Sequence, residues 1–250
     1  RTDTAVLTVI TPRRPSRAKP LLAPGIRTQA PLKAALLALT SAIAAWMAAP
    51  TDRKKVIVEP NILYLMLMAH LFFYASYFFT NWSATYFQEG RGLSEEDTKK
   101  FISLSYFLGA MGCLIGGFLS DWLVKKHGLR FGRRVVAGVG LGASALLFLF
   151  AGLTPNNQLA GYLLAACVFS KDLALPVAFV TCVDIGKQNS GTVTGTMNFA
   201  GQLGGFFITI IFGTIVNQTN NFQLPLFLIA GCLVVSALLW LKIDPEKTIR

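Results

Sequence analysis

Six apolar runs of roughly 20 residues, each closed by a short polar turn, dominate this sequence and leave few folds open. They extend from Asn61 to Phe87, Phe101 to Val124, Val135 to Leu153, Gln158 to Cys182, Gly191 to Val216 and Leu224 to Leu241. A helix rises about 1.5 Å per residue, so roughly 20 apolar residues cross a hydrocarbon core about 30 Å thick. The connections "QEGRGLSEEDTKK", "KKHGLRFGRR", "TPNN", "DIGKQNS" and "NQTNNFQ" are short enough to require antiparallel neighbours. The pattern predicts an all-α membrane protein, a six-transmembrane-helix bundle over residues 56–250.

Composition agrees, because 53% hydrophobic and 14% charged residues are too apolar a mixture for a soluble domain of 250 residues. The net charge of +11 could suggest nucleic acid, but it is unevenly placed. Residues 1–55 hold ten Lys/Arg against two acids, a net +8, and the other 195 residues hold thirteen against ten, a net +3. The basicity thus lies in a Pro/Ala-rich leader and in short loops, and no nucleic-acid partner is expected. The leader reads as largely disordered with a short helix over 32–49.

Cationic loops stay cytoplasmic. With the segment before Asn61 inside, the inner loops and tail collect twelve Lys/Arg and the outer loops three. Both ends of the six-helix unit are therefore expected in the cytoplasm, in a multi-pass protein of the plasma (cell inner) membrane in contact with lipid.

Enzymatic signatures do not emerge. Cys113, Cys167, Cys182 and Cys232 lie within apolar runs without a paired spacing or a nearby His, so they read as packing residues, with no metal and no cofactor expected. "GVGLGA", Gly138 to Ala143, has nucleotide-loop spacing but lies within a span with no strand before it, where small residues serve helix packing.

Polar residues within the spans are more informative. Thr194, Asn198 and Gln202 recur every fourth residue, and His70, Tyr74, Tyr77 and Asn81 follow one helix face. Side chains of this kind in hydrocarbon need partners, either across helices or on a hydroxylated solute. Gly191/Gly195 and Gly201/Gly205, spaced four apart, predict close helix contact. Lys171 and Asp172 lie deep in the fourth span, about 100° apart around a helix, so they need not pair with each other. Either they belong to a structural network or Lys171 attracts an anionic substrate.

The stretch "GGFLSDWLVKKHGLRFGRR" resembles the loop signature of the major facilitator superfamily, an acid at a helix end followed by a basic turn. "DIGKQNSGTVTGTMNFAGQLGG" and "NWSATYFQEGRGLS" are similar to regions of its anion:cation symporter family, with Ser83 and Ala84 departing from the more usual Leu-Pro. The resemblance covers residues 56–245 and implies the C-terminal half of a twelve-helix fold, with a central site at mid-membrane and a missing N-terminal six-helix half. It further implies transport of a small organic anion such as a sugar acid by alternating access, coupled to a proton or sodium ion. Gly117, Asp121, Arg130, Arg133 and Arg134 would form a conformational latch, while Asn198, Gln202, Thr194, His70, Tyr74, Tyr77 and Lys171 would bind substrate. The competing expectation is a non-transporting membrane scaffold or sensor on the same bundle.

Overall fold

The computed structural model describes residues 58–249, so the expected leader and its helix over 32–49 lie outside the described residues. The described chain is a helical bundle. Helix α1 spans Pro60–Asn81, α2 Glu95–His127, α3 Leu129–Leu153, α4 Asn157–Asp172, α5 Ala174–Gly186, α6 Ser190–Thr219 and α7 Gln223–Leu239. Helices α1, α2, α3 and the run Asn157–Thr219 are each long and apolar enough to cross a membrane, and α7 is a shorter apolar helix.

Local chemistry sets the helix ends. Pro60 opens α1, where a missing N–H costs nothing. Ser94 caps α2 by accepting from the Asp97 N–H at 3.0 Å. Glu95, Glu96 and Asp97 then fill the first turn of α2 and Lys125, Lys126 and His127 its last, matching the helix dipole at both ends. The basic stretch expected to be a loop is helical on both sides. Only Gly128, at φ 90°, separates α2 from α3, because Lys and Arg favour helix and a left-handed glycine suffices to turn the chain.

The fourth span is not one helix. It breaks at Leu173, between α4 and α5. Pro176 has no N–H to offer the carbonyl four residues earlier, and its ring crowds that turn. The chain reverses again at Lys187, with φ 47°.

Close packing relies on glycine in two seams. On α2, a Cβ at Gly112 or Gly116 would run into the Phe169 or Leu173 carbonyl of the α4/α5 break. On α6, a Cβ at Gly201 would sit 2.5 Å from the Phe73 ring, and one at Gly204 would strike the His70 carbonyl of α1. Gly205 lies against Tyr77. Gly191 and Gly195, expected to serve the same purpose, have nothing within 4 Å of a Cβ, since that end of α6 presents them to open space.

Candidate functional site

Three groups of polar residues stand out. The first lies along the α1/α6 seam, where the near contact of backbones brings side chains of both helices together. Tyr77 donates from its hydroxyl to Gln202 Oε1 at 2.5 Å, and Asn81 Nδ2 donates to Thr209 Oγ1 at 2.9 Å. His70 Nδ1 lies 3.1 Å from the Ala200 carbonyl. Gln202 and Asn81 are exposed at the bundle surface, while His70, Tyr77, Thr194 and Asn198 are half-buried. Asn198 has no hydrogen-bond partner among the described residues.

Tyr74 departs from this group. It is buried, and its hydroxyl finds no partner among the described residues. Four residues advance a helix by 400°, so Tyr74 is turned about 40° from His70 and enters the packed side of the seam.

The second group is buried at the α4/α5 break. Lys171 is 4% exposed and pairs with its neighbour Asp172. Its ammonium also lies 5.2 Å from the centre of the Phe72 ring. A Cβ on Gly109 of α2 would come within 2.7 Å of Asp172 Oδ2, so the carboxylate occupies space which that glycine leaves free. The two residues pair despite their angular separation, because the helix ends at Asp172 and a lysine side chain is long enough to span the gap. No ion pair or hydrogen bond joins Lys171 to the α6 residues. Its charge is compensated inside the bundle, apart from Asn198 and Gln202.

The third group stands where α2 gives way to α3. Arg133 is 6% exposed and contacts three side chains. Its Nη1 donates to Asp121 Oδ1 and Ser120 Oγ, both at 2.8 Å, and its Nε to Asp184 Oδ2 at 3.2 Å. Two carboxylates from different helices thus hold one buried guanidinium. A Cβ on Gly117 would sit at ordinary contact distance, 3.8 Å, from the Pro176 ring.

Arg130 and Arg134 do not reach Asp121. Being four residues apart, they share a helix face that meets the C-terminal segment after α7. Arg130 forks onto Asp244, at 2.8 and 3.2 Å, and touches Glu246 at 3.1 Å. Arg134 Nε donates to the Ile243 carbonyl at 2.8 Å. The segment is pinned from the other side by Asn61, which exchanges two hydrogen bonds with the Asp244 backbone at 2.7 and 2.8 Å. Sequence reasoning missed Ser120, Asp184 and Asp244. Asp184 opens the stretch already singled out, but nothing in its spacing tied it to Arg133, 51 positions earlier.

Comparison with known proteins decides the family. The family model described as Major Facilitator Superfamily matches residues 4–209. This chain belongs to the major facilitator superfamily. The match reaches into the leader, which the sequence reading had set apart from the six-helix unit. Among curated relatives, the chain is 34% identical to a hexuronate transporter of Bacillus subtilis over 72% of its own length and 43% of the relative's. It is 32% identical to the probable sulfoacetate transporter SauU of Cupriavidus necator, covering 68% of the chain and 40% of the relative. It is 28% identical to the probable galactarate/D-glucarate transporter GudP of Bacillus subtilis, covering 70% and 38%. The chain therefore spans about two fifths of the length of the curated relatives it matches. It is an integral membrane protein of a transporter superfamily, similar to carriers of its anion:cation symporter branch.

Proposed function

We propose that this chain forms the C-terminal half of a carrier that moves a small organic anion, such as a sugar acid, across the plasma membrane by alternating access, coupled to a proton or sodium gradient. The observation that supports this most is the α1/α6 seam. Neutral amides and hydroxyls lie along an exposed line of the bundle, where lipid tails could not solvate them. They suit a water-filled cavity closed by a second half, and a hydroxylated anion entering it would find Asn198 without a competing partner. The substrates named for the hexuronate, sulfoacetate and galactarate/D-glucarate carriers are small anions, which supports the substrate class. Asp121, Arg133 and Asp184 then form the latch, biasing one access state from the cytoplasmic end.

The test is uptake into proteoliposomes, using hexuronates, sulfoacetate and galactarate. The chain alone should drive no ion-coupled uptake, because alternating access needs two bundles around the site. Adding an N-terminal six-helix half from a relative should restore it. Failure with every such half would remove the reading. Strong ion-driven uptake by the chain alone would point to two copies forming the carrier.

A second reading has one observation in its favour. Tyr77–Gln202 and Asn81–Thr209 satisfy each other without any solute, as in a scaffold or sensor held together by those bonds. A scaffold would show no substrate-dependent change in the accessibility of Asn198, probed through Asn198→Cys.

A further inference from the structure

The end of the bundle that carries the α2–α3 turn holds a groove that the transport reading leaves unused. Its volume is about 390 Å³, and His127, Arg130, Phe131, Arg134, Leu241 and Glu246 are among the residues lining it. From this groove we infer a binding site for the headgroup of an anionic phospholipid such as phosphatidylglycerol, with the upper acyl chain against Phe131 and Leu241.

Charge is the first argument. Of the carboxylates nearby, Asp121 and Asp184 share Arg133, and Asp244 and Glu246 share Arg130, so the surplus of positive charge at this end comes from the other cations. Lys125, Lys126, Arg134, Lys242 and Lys247 have no carboxylate partner among the described residues. Arg134 gives only its Nε to the Ile243 carbonyl, which leaves the two terminal nitrogens of its guanidinium for the groove. A planar guanidinium fork matches a phosphate better than a lone ammonium does. His127 makes no hydrogen bond to any described residue, and its ring rests 5.1 Å from that of Phe131.

Position is the second argument. Trp122 is 48% exposed, with the Lys126 ammonium 5.2 Å above its ring, the pairing of aromatic and cation found at a membrane interface. Phe131 and Leu241 are 49% and 62% exposed and edge the same groove, giving it an apolar lip beside the Arg134 guanidinium. A free anion would have no use for that lip, whereas a lipid has both chemistries at this spacing. Basic pockets between membrane helices suit anionic headgroups in this way. The site rests on the orientation proposed above only in that it assigns the lipid to the cytoplasmic leaflet.

Native mass spectrometry of the full chain released from detergent tests the site, with equal amounts of phosphatidylglycerol and phosphatidylcholine supplied. The expected result is selective retention of phosphatidylglycerol, weakened about fivefold by Arg134→Gln, since each cation near a headgroup contributes on that scale. Because Arg134 also braces Ile243, His127→Gln is the second variant. His127 meets the Phe131 ring but makes no hydrogen bond to any described residue, and its replacement should reduce retention as well. Lys187→Gln, a basic residue of another connection, should change nothing. Equal retention of both lipids, equal losses across all three variants, or displacement of phosphatidylglycerol by millimolar inorganic phosphate would each overturn the proposal. A chain that keeps this lipid but gives no uptake with any added N-terminal half would sink the transport reading and leave the site standing.

Discussion

The α1/α6 seam and the α2/α4 seam are built alike and used differently. Each brings two helices to near backbone contact over glycines, Gly201, Gly204 and Gly205 in one, Gly109, Gly112 and Gly116 in the other. The α2/α4 seam encloses a full ion pair, Lys171 with Asp172, behind walls that a methyl group would breach. The α1/α6 seam holds neutral hydrogen bonds on an exposed line. Breaking a buried ion pair strands a charge in low dielectric, so that seam resists rearrangement. Neutral bonds at a wet surface exchange with water or solute at little cost. The contrast predicts a fixed strut in one seam and exchangeable partners in the other.

The sharpest way to break that contrast is to remove one member of the buried pair. Asp172→Ala leaves Lys171 uncompensated and should destabilise the bundle by about 3–5 kcal/mol. The double variant Lys171→Met with Asp172→Leu should recover most of that loss. Thermal unfolding in detergent measures both. A loss under about 1 kcal/mol for Asp172→Ala would mean that water reaches Lys171, and the strut would be no strut.

Next in size is the proposed latch. Arg133→Ala abandons two carboxylates and Ser120, with an expected loss of about 3 kcal/mol. Asp121 is the outer partner, with its side chain 64% exposed, and Asp121→Ala should cost no more than about 1 kcal/mol while shifting the balance of access states. Cysteine accessibility from the two sides of the membrane reads that balance. Equal costs for the two variants would show that Asp184 alone does not hold Arg133.

Glycine distinguishes the seam from its exposed continuation. Gly204→Ala must push α6 away from the His70 carbonyl and should cost about 1–3 kcal/mol. Gly195→Ala meets nothing and should be neutral or stabilise by up to about 1 kcal/mol through helix propensity.

The spans were legible because apolar length is a property of the sequence itself, and the polar stripes because helical spacing is too. Boundaries were harder to read where charge and structure disagree. The basic stretch around Gly128 looks like a loop, yet Lys and Arg continue a helix well, and only the glycine's positive φ interrupts it. Pro176 lies in the fourth span, but the break falls at Leu173, three residues upstream, because the carbonyl left without its N–H belongs to Asp172. Which glycines touch a neighbour could not be read from spacing, since Gly191/Gly195 and Gly201/Gly205 share it and only the second pair is covered. The division of the arginines depended on the register between α3 and two distant segments. Periodicity within one helix carries no record of that. Hence Arg133 could be placed near Asp121, but its sharing with Asp184, and the turn of Arg130 and Arg134 toward Asp244 and Ile243, could not.

The smallest effects on stability bear most directly on function. Tyr77→Phe removes one hydroxyl bond to Gln202 and should cost about 0.5–1.5 kcal/mol. Asn198→Ala removes no bond to any described residue, so its stability should stay within about 0.5 kcal/mol of the parent. If Asn198 faces a wet cavity and receives the anion, the same substitution in a carrier assembled with its other half should raise the Kd for substrate about tenfold, the size of one lost hydrogen bond to a charged group. Titration of substrate against the assembled carrier, beside an unfolding curve on the same sample, separates the two effects. A parallel fall in both would make Asn198 part of the packing, and the α1/α6 seam would then be a second strut. Weaker binding at unchanged stability would mark it as the surface that meets the cargo.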